Sequence, residues 1–187
     1  GGFIGLTAWL PLYWQRFMAV GVVAAGGLTA LYSISASLIR VAGGHISDRM
    51  GGHATAVLGL GLTLLGSVLL VISSQFAAAV LAVMLLALGM GVANAAVFKL
   101  VPQAVPRAVG GVAGWVGGLG AFGGFVIPPL MATFVEMWGP RGYSLGFGLF
   151  IILSLFALGM VLLLKRFAVP SSTAAPVSQT VTESTTI

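Results

Sequence analysis

The sequence contains no cysteine among its 187 residues. Disulfides, thiolate metal sites and cysteine nucleophiles are therefore excluded together. Charge is scarce as well, because 6% of the residues are Asp, Glu, Lys or Arg, whereas soluble domains carry about 25%. Hydrophobic residues make up 59%, more than a chain of this length can bury away from water. The composition predicts an integral membrane protein whose apolar surface contacts the lipid bilayer.

Charged residues are also nearly absent from the apolar runs. A helix that crosses the bilayer needs about 20 apolar residues, and six runs approach or exceed that length: 1–14, 20–44, 54–72, 76–98, 108–135 and 143–164. Within these runs the charged residue is Arg40, and there is no Asp, Glu or His. The first run is short and has no initiator Met, so we expect a fragment cut inside a helix. The pattern predicts an all-α integral membrane protein with six transmembrane helices.

Short connections are expected between the helices. Residues 43–53 and 73–75 separate the second, third and fourth runs, and residues 99–107 separate the fourth and fifth, where Pro102 and Pro106 are expected to stop the helix. Residues 1–166 then form one six-helix unit. The Ser, Thr, Ala and Pro composition of residues 167–187 predicts a disordered tail.

The basic residues indicate an orientation. The net charge of +5 could indicate nucleic acid, but the Lys and Arg residues lie singly or in one pair at the ends of apolar runs. Five of them fall on one side of the predicted membrane and two on the other, and the richer side is expected to be cytoplasmic. This places the C-terminal tail in the cytoplasm, and no nucleic-acid partner is expected. We also expect a multi-pass protein of the inner (plasma) membrane. The richer side carries Arg49, Lys99, Arg107, Lys165 and Arg166, and the other carries Arg16 and Arg141.

Arg40 is the first candidate for a functional side chain, because an intramembrane guanidinium is costly in lipid and cannot be neutralised. Thr29, Ser33 and Ser37 precede it at helical spacing and form one polar face. That face would line a water-filled path, and the guanidinium fork would suit a small planar anion. Alternatively, Arg40 extends to the cytoplasmic interface. Spacing alone does not separate these two readings.

Two further residues of the fourth run are candidates. Asn94 is a costly polar group, and Phe98 follows it one turn later. Asn94 either bonds to a neighbouring helix or faces the cargo, with Phe98 as an aromatic wall. No cofactor and no metal site are expected, since His45, Asp48 and His53 make only a weak ligand pattern.

Glycine dominates the fifth run. Gly110, Gly114 and Gly118 are spaced by four residues, as are Gly120 and Gly124. Such spacing lets two membrane helices pack closely. We therefore expect close and mobile helix packing along this face.

A resemblance follows from three segments taken together. Residues 43–52, GGHISDRMGG, resemble the GxxxDRxGG loop motif of the major facilitator superfamily. Residues 40–44, RVAGG, residues 91–99, GVANAAVFK, and residues 117–125, GGLGAFGGF, are similar to the nitrate/nitrite porter family of that superfamily. The resemblance implies that the chain is the C-terminal half, helices seven to twelve, of a twelve-helix transporter.

The resemblance also implies roles for individual residues. Arg40 matches an Arg that binds the anion together with a second Arg in the missing N-terminal half, and Phe98, one turn after Asn94, matches an aromatic that covers the flat face of the anion. The Gly signature allows its helix to move, and the loop motif holds a cytoplasmic gate. The signature and packing set is Gly114, Gly117, Gly118, Gly120, Gly123 and Gly124, and the gate loop is Gly44, Asp48, Arg49, Gly51 and Gly52.

The expected function is therefore secondary transport of nitrate, nitrite or both by alternating access, either as an antiporter or as a proton symporter. The chain is not expected to be an enzyme. Three alternatives remain open: a transporter of the same superfamily for another small anion or solute, an intramembrane hydrolase using Ser144 of the GxSxG sequence at residues 142–146, and a structural module that dimerises through residues 110–124.

Overall fold

The computed structural model describes residues 1–167, and every regular element in that range is helical. The predicted tail at 167–187 lies outside the described residues except for its first residue. The helices are α1 (Gly2–Leu12), α2 (Val22–Met50), α3 (Gly52–Ile72), α4 (Phe76–Ala104), α5 (Val109–Trp138), α6 (Gly142–Leu145) and α7 (Gly148–Phe167). A π-helical turn, Tyr13–Phe17, continues α1, and a 3-10 turn, Gly139–Arg141, precedes α6.

The prediction of an all-α membrane protein is confirmed. Four helical stretches are long and apolar enough to cross a membrane: Val22–Met50, Gly52–Ile72, Phe76–Ala104 and Val109–Leu145. A shorter apolar helix covers Gly148–Leu164, and α1 has 11 residues. Apolar runs become helices here because in lipid every backbone polar group needs a partner within the segment.

The connection predicted at residues 43–53 is wrong. Helix α2 continues through Gly44, Asp48 and Arg49 to Met50, and a single residue, Gly51, separates it from Gly52 at the start of α3. Glycine and charge were taken as loop signals, but no proline interrupts this segment, so its amides can keep donating to carbonyls four residues back. Gly51 ends the helix with a φ of +83°, a conformation that glycine adopts readily.

The same misreading affected the connection predicted at residues 99–107. Helix α4 runs through Pro102 to Ala104, because a proline in the last turn removes one amide donor without ending the helix. Glu136 lies in the last turn of α5, and His45 lies in α2. The described acidic and histidine side chains thus belong to helix ends or, for His53, to the first turn of α3.

Helix α4 packs against both α2 and α3, and glycines allow the close approach. A Cβ atom added to Gly59 of α3 would lie 2.5 Å from the Ala93 nitrogen, and one added to Gly43 of α2 would lie 3.1 Å from the Val92 Cα. Helix α7 packs on α3, and α1 packs on α5. These contacts hold the residues of α4 between two neighbouring helices.

Within the described structure, half of the α5 glycine set makes close contacts, and the expected close packing of the other half stays a prediction. Nothing lies within 4 Å of a Cβ added at Gly114, Gly117 or Gly118 in the described structure. Gly123 and Gly124 do contact α1, at Gly1 and Ile4, and Gly120 lies 3.5 Å from the Gly1 nitrogen by the same measure. Glycine spacing permits close approach, but it does not determine which helix approaches.

Candidate functional site

A cavity of about 550 Å³ lies among the helices. Its walls come from α1, α2, α3, α4, α5 and α7, so every long described helix contributes. Most lining residues are apolar. The polar side chains on the walls are Arg40, Thr63, Asn94 and Ser154, and Phe98 is one of the aromatic ones.

Arg40 is the charged residue of the cavity lining. Met50, at the end of α2, follows it ten positions later, which corresponds to about 15 Å along a helix rising ~1.5 Å per residue. His45, Asp48 and Arg49 lie in this interval. Within residues 1–167, Arg40 has no ion pair and no side-chain hydrogen bond. Arg40 is exposed and lies on the cavity wall, as the cavity-facing interpretation predicts.

Asn94 and Phe98 line the same cavity from one face of α4. Asn94 is half-buried, and the Phe98 side chain is 39% exposed. The Asn94 side chain makes no hydrogen bond with any described residue. The interpretation in which it bonds to a neighbouring helix therefore finds no partner side chain or carbonyl among residues 1–167. The structure thus brings Arg40, Asn94 and Phe98 to one cavity.

Ser33 and Ser37 do not line the cavity, although they share the predicted polar face with Arg40. The Ser37 hydroxyl donates to the Ser33 carbonyl oxygen at 2.8 Å, inside α2. The Ser33 hydroxyl lies 3.5 Å from that of Thr7 in α1. Thr29 is buried and donates to the Ala25 carbonyl. These hydroxyls bond to the backbone of their own helix or approach a neighbouring helix, whereas the longer Arg40 side chain reaches the cavity.

The glycine signature is divided among three places. Gly117 and Gly120 line the cavity with Arg40. Gly114 and Gly118 lie along a second, shallow cavity of about 440 Å³ on α5, beside Trp115 and Leu119. Gly123 and Gly124 contact the start of α1.

The residues of the predicted gate lie in helices α2 and α3, except for Gly51, which connects the two. Lys99 of α4 binds Asp48 with its Nζ atom 2.5 Å from Oδ1, and it donates to the Ser47 carbonyl at 2.8 Å. From the sequence, Lys99 indicated only the membrane orientation. Its distant position in the chain from Asp48 gave no indication that the two side chains form an ion pair.

Three lining residues were also missed: Thr63, Met90 and Ser154. Thr63 donates to the Gly59 carbonyl at 2.9 Å. Tyr32, which is buried in α2, donates to the Met90 sulfur at 3.3 Å and so fixes that side chain at the cavity wall. An isolated polar residue in an apolar run has no periodic pattern that would have identified it.

Ser144, the nucleophile of the hydrolase alternative, is buried and donates to the Leu70 carbonyl oxygen at 2.6 Å. This bond joins α6 to the end of α3. His45 contacts the Val41 carbonyl in α2, and neither histidine bonds to Ser144 in the described structure. Residues 1–167 contain no cluster of three metal-ligating side chains.

Comparison with known families identifies the family to which the chain belongs. The family model described as Major Facilitator Superfamily matches residues 1–184. The chain belongs to the major facilitator superfamily. This is a family of transporters rather than enzymes, and the membership removes the basis for the hydrolase alternative.

Relatives within the superfamily are named for nitrate and nitrite. The chain is 36% identical to a probable nitrate/nitrite antiporter, NarK1, of Thermus thermophilus over 86% of its length. It is 30% identical to a nitrite extrusion protein of Bacillus subtilis over 79%, and 27% identical to a probable nitrate transporter, NarT, of Staphylococcus epidermidis over 72%. The resemblance to the nitrate/nitrite porter family is thus confirmed. No solved structure matches the chain.

The chain spans 40%, 37% and 35% of these three relatives, respectively. Each relative is therefore more than twice as long as the segment it shares with this chain.

Proposed function

We propose that this chain is the C-terminal half, helices seven to twelve, of a twelve-helix transporter that moves nitrate, nitrite or both by alternating access. The observation that carries the proposal is the cavity in which Arg40, Asn94 and Phe98 meet. The names of the relatives support the cargo, and the shared length of 40% or less supports an N-terminal half as partner. In this assignment α1 to α5 correspond to helices seven to eleven, and α6 with α7 to helix twelve.

A small planar oxyanion fits the polar groups of the cavity. The Arg40 guanidinium offers two parallel donors to two oxygens of one anion edge. Asn94 adds an amide donor, and Phe98 supplies a flat apolar surface for the face of the anion. In a low-dielectric cavity these groups replace the water that the anion loses on entry.

Antiport is the transport mode that this half supports better. A proton-coupled mechanism uses intramembrane Asp, Glu or His residues as carriers, and none lines the described cavity. Proton symport would place its carriers in the N-terminal half. The C-terminal end of α7 is assigned to the cytoplasm, with the tail at 167–187 beyond it, on the strength of the basic residues alone.

Transport of another small anion is the second candidate, because Arg40 and Asn94 would bind many oxyanions. Competition separates the two: excess nitrite should block nitrate uptake, whereas excess sulfate or phosphate should not. The reverse order of competition would move the assignment to a different anion.

The test of the proposal is counterflow in proteoliposomes containing the complete transporter, loaded with nitrite and supplied with isotope-labelled nitrate. Wild type should exchange the two anions without an imposed proton gradient. Arg40→Lys keeps the charge but loses the fork, so we expect exchange to fall by roughly tenfold or more. Arg141→Lys, an exposed position at the opposite end of the bundle, is the matched control and should exchange normally. Absence of exchange by folded wild type would overturn the proposal.

A further inference from the structure

Ser154 of α7 is 4% exposed, and its side chain lines the main cavity. It stands in an apolar helix whose other described residues offer few polar groups. Its oxygen is not one of the fully enclosed side-chain oxygens that lack a partner among the described residues. The hydroxyl is therefore accessible from the cavity.

Hydroxyls in the other described helices bond in several ways: Ser144 bonds to α3, the enclosed Ser47 hydroxyl has no partner, and others bond to their own helix. Six of them donate to the carbonyl oxygen four residues back, as serine and threonine commonly do in membrane helices. These are Thr7, Thr29, Ser37, Thr55, Thr63 and Ser67. Ser154 makes no such bond to Phe150, and no hydrogen bond joins it to any other residue within 1–167.

Two hydroxyl-bearing residues, Thr63 and Ser154, line the cavity. They differ in whether the hydroxyl proton has an acceptor within the described protein. The Thr63 proton is used on the Gly59 carbonyl at 2.9 Å. The Ser154 proton has no protein acceptor in the described range. Ser154 is therefore the hydroxyl on the cavity wall that can donate to a bound molecule.

The position of Ser154 complements that of Arg40. Helix α7 packs on α3, whereas α2 packs on α4, so the two residues approach the cavity from different walls. A guanidinium fork binds two oxygens along one edge of a planar anion, and the remaining oxygen then points away from the fork. That oxygen needs a donor from another wall once its water is removed.

We propose that the Ser154 hydroxyl donates a hydrogen bond to the bound anion and so helps to determine which oxyanion the cavity accepts. This inference rests on the proposed function of the cavity. Ser154 is then a specificity-determining residue on α7, and the anion supplies the acceptor that the protein does not.

The experiment is calorimetric titration of the purified complete transporter with sodium nitrate, with thermal unfolding measured before nitrate is added. Ser154→Ala should raise the nitrate Kd roughly tenfold, the usual effect of losing a hydrogen bond to a charged group. Its unfolding midpoint without nitrate should equal or exceed that of wild type, because no protein hydrogen bond is lost. Ser154→Thr retains the donor and should bind nitrate with a Kd near that of wild type.

Ser67→Ala is the matched control. Ser67 is also buried, but its hydroxyl donates to the Thr63 carbonyl at 2.7 Å and it does not line the cavity. This variant should lose some thermal stability and keep the nitrate Kd. The opposite pattern for Ser154→Ala, lower stability with an unchanged Kd, would show a purely structural hydroxyl and overturn the inference.

The two proposals fail in different ways. If wild type binds nitrate and Ser154→Ala binds it equally well, the role of Ser154 is overturned and the function of the cavity stands. If folded wild type gives no heat with nitrate, both proposals are overturned.

Discussion

The Nζ atom of Lys99 lies 2.5 Å from Oδ1 of Asp48 and so joins the last turn of α2 to the end of α4. The same ammonium group donates to the Ser47 carbonyl, which also accepts a hydrogen bond from the Gly51 amide at the end of the helix. One lysine thus covers the end of α2 with both a charge and a hydrogen bond.

Lys99→Gln should loosen that last turn without unfolding the protein. Asp48 is 72% exposed, and exposed ion pairs contribute little to global stability. Hydrogen exchange at the amides of residues 47–50 should accelerate severalfold, while the thermal midpoint changes little. The exposed Arg107 gives the control variant Arg107→Gln, for which exchange at these amides should match wild type. Equal protection in both variants would mean that Lys99 does not hold this turn.

Gly59→Ala should destabilise the bundle by about 1–3 kcal/mol, the usual cost of overpacking. The added methyl would lie 2.5 Å from the Ala93 nitrogen and 2.8 Å from the Gly89 carbonyl oxygen, so α3 and α4 would have to separate. Gly61→Ala is the control on the same helix, with nothing within 4 Å of its added methyl. It should be neutral or stabilising by about 0.5–1 kcal/mol. Thermal unfolding in detergent compares the pair, and similar midpoints would contradict the packing described.

Ser144→Ala should lower stability and leave anion exchange unchanged. Its hydroxyl bonds to the Leu70 carbonyl, and a neutral hydrogen bond of this kind contributes about 1 kcal/mol. Thermal unfolding and counterflow on the same preparation measure both effects. Loss of transport in a variant that unfolds at the wild-type temperature would point to a chemical role for this serine.

Phe98→Leu should weaken nitrate binding more than it weakens folding. Phe98 is 39% exposed and lines the cavity, so a smaller apolar side chain costs little packing but removes the flat ring. We expect the nitrate KM to rise several-fold with a nearly unchanged thermal midpoint, and Phe98→Tyr to keep a KM close to that of wild type. A KM that Phe98→Leu leaves unchanged would remove this ring from the proposed binding site.

The helices could be predicted from the sequence because charge-free apolar runs of membrane length have few alternatives. Their ends could not. Residues 43–50 carry glycine, histidine and two charges, yet they remain helical because nothing in them prevents backbone hydrogen bonding. Sequence indicates where a helix can leave the membrane, whereas local hydrogen bonds determine where it stops.

The cavity was predictable only in part. Arg40 and Asn94 are conspicuous because polar groups are costly in lipid. Their meeting depends on how α2 packs against α4, which in turn depends on the small residues Gly43 and Gly91 at that contact. Ser154 gave no signal in the sequence, since one serine in an apolar run resembles many that bond to their own backbone. Its significance emerged only from the bonds made by the other hydroxyls.

Gly51 is the whole connection between α2 and α3. A joint of one residue allows rotation about very few bonds, so the two helices cannot drift apart at that end by more than a few ångströms. Arg40 and Thr63 therefore belong to a coupled pair of walls. Any widening of the cavity between α2 and α3 must therefore rotate the two helices about Gly51, so that their separation increases with distance from that residue.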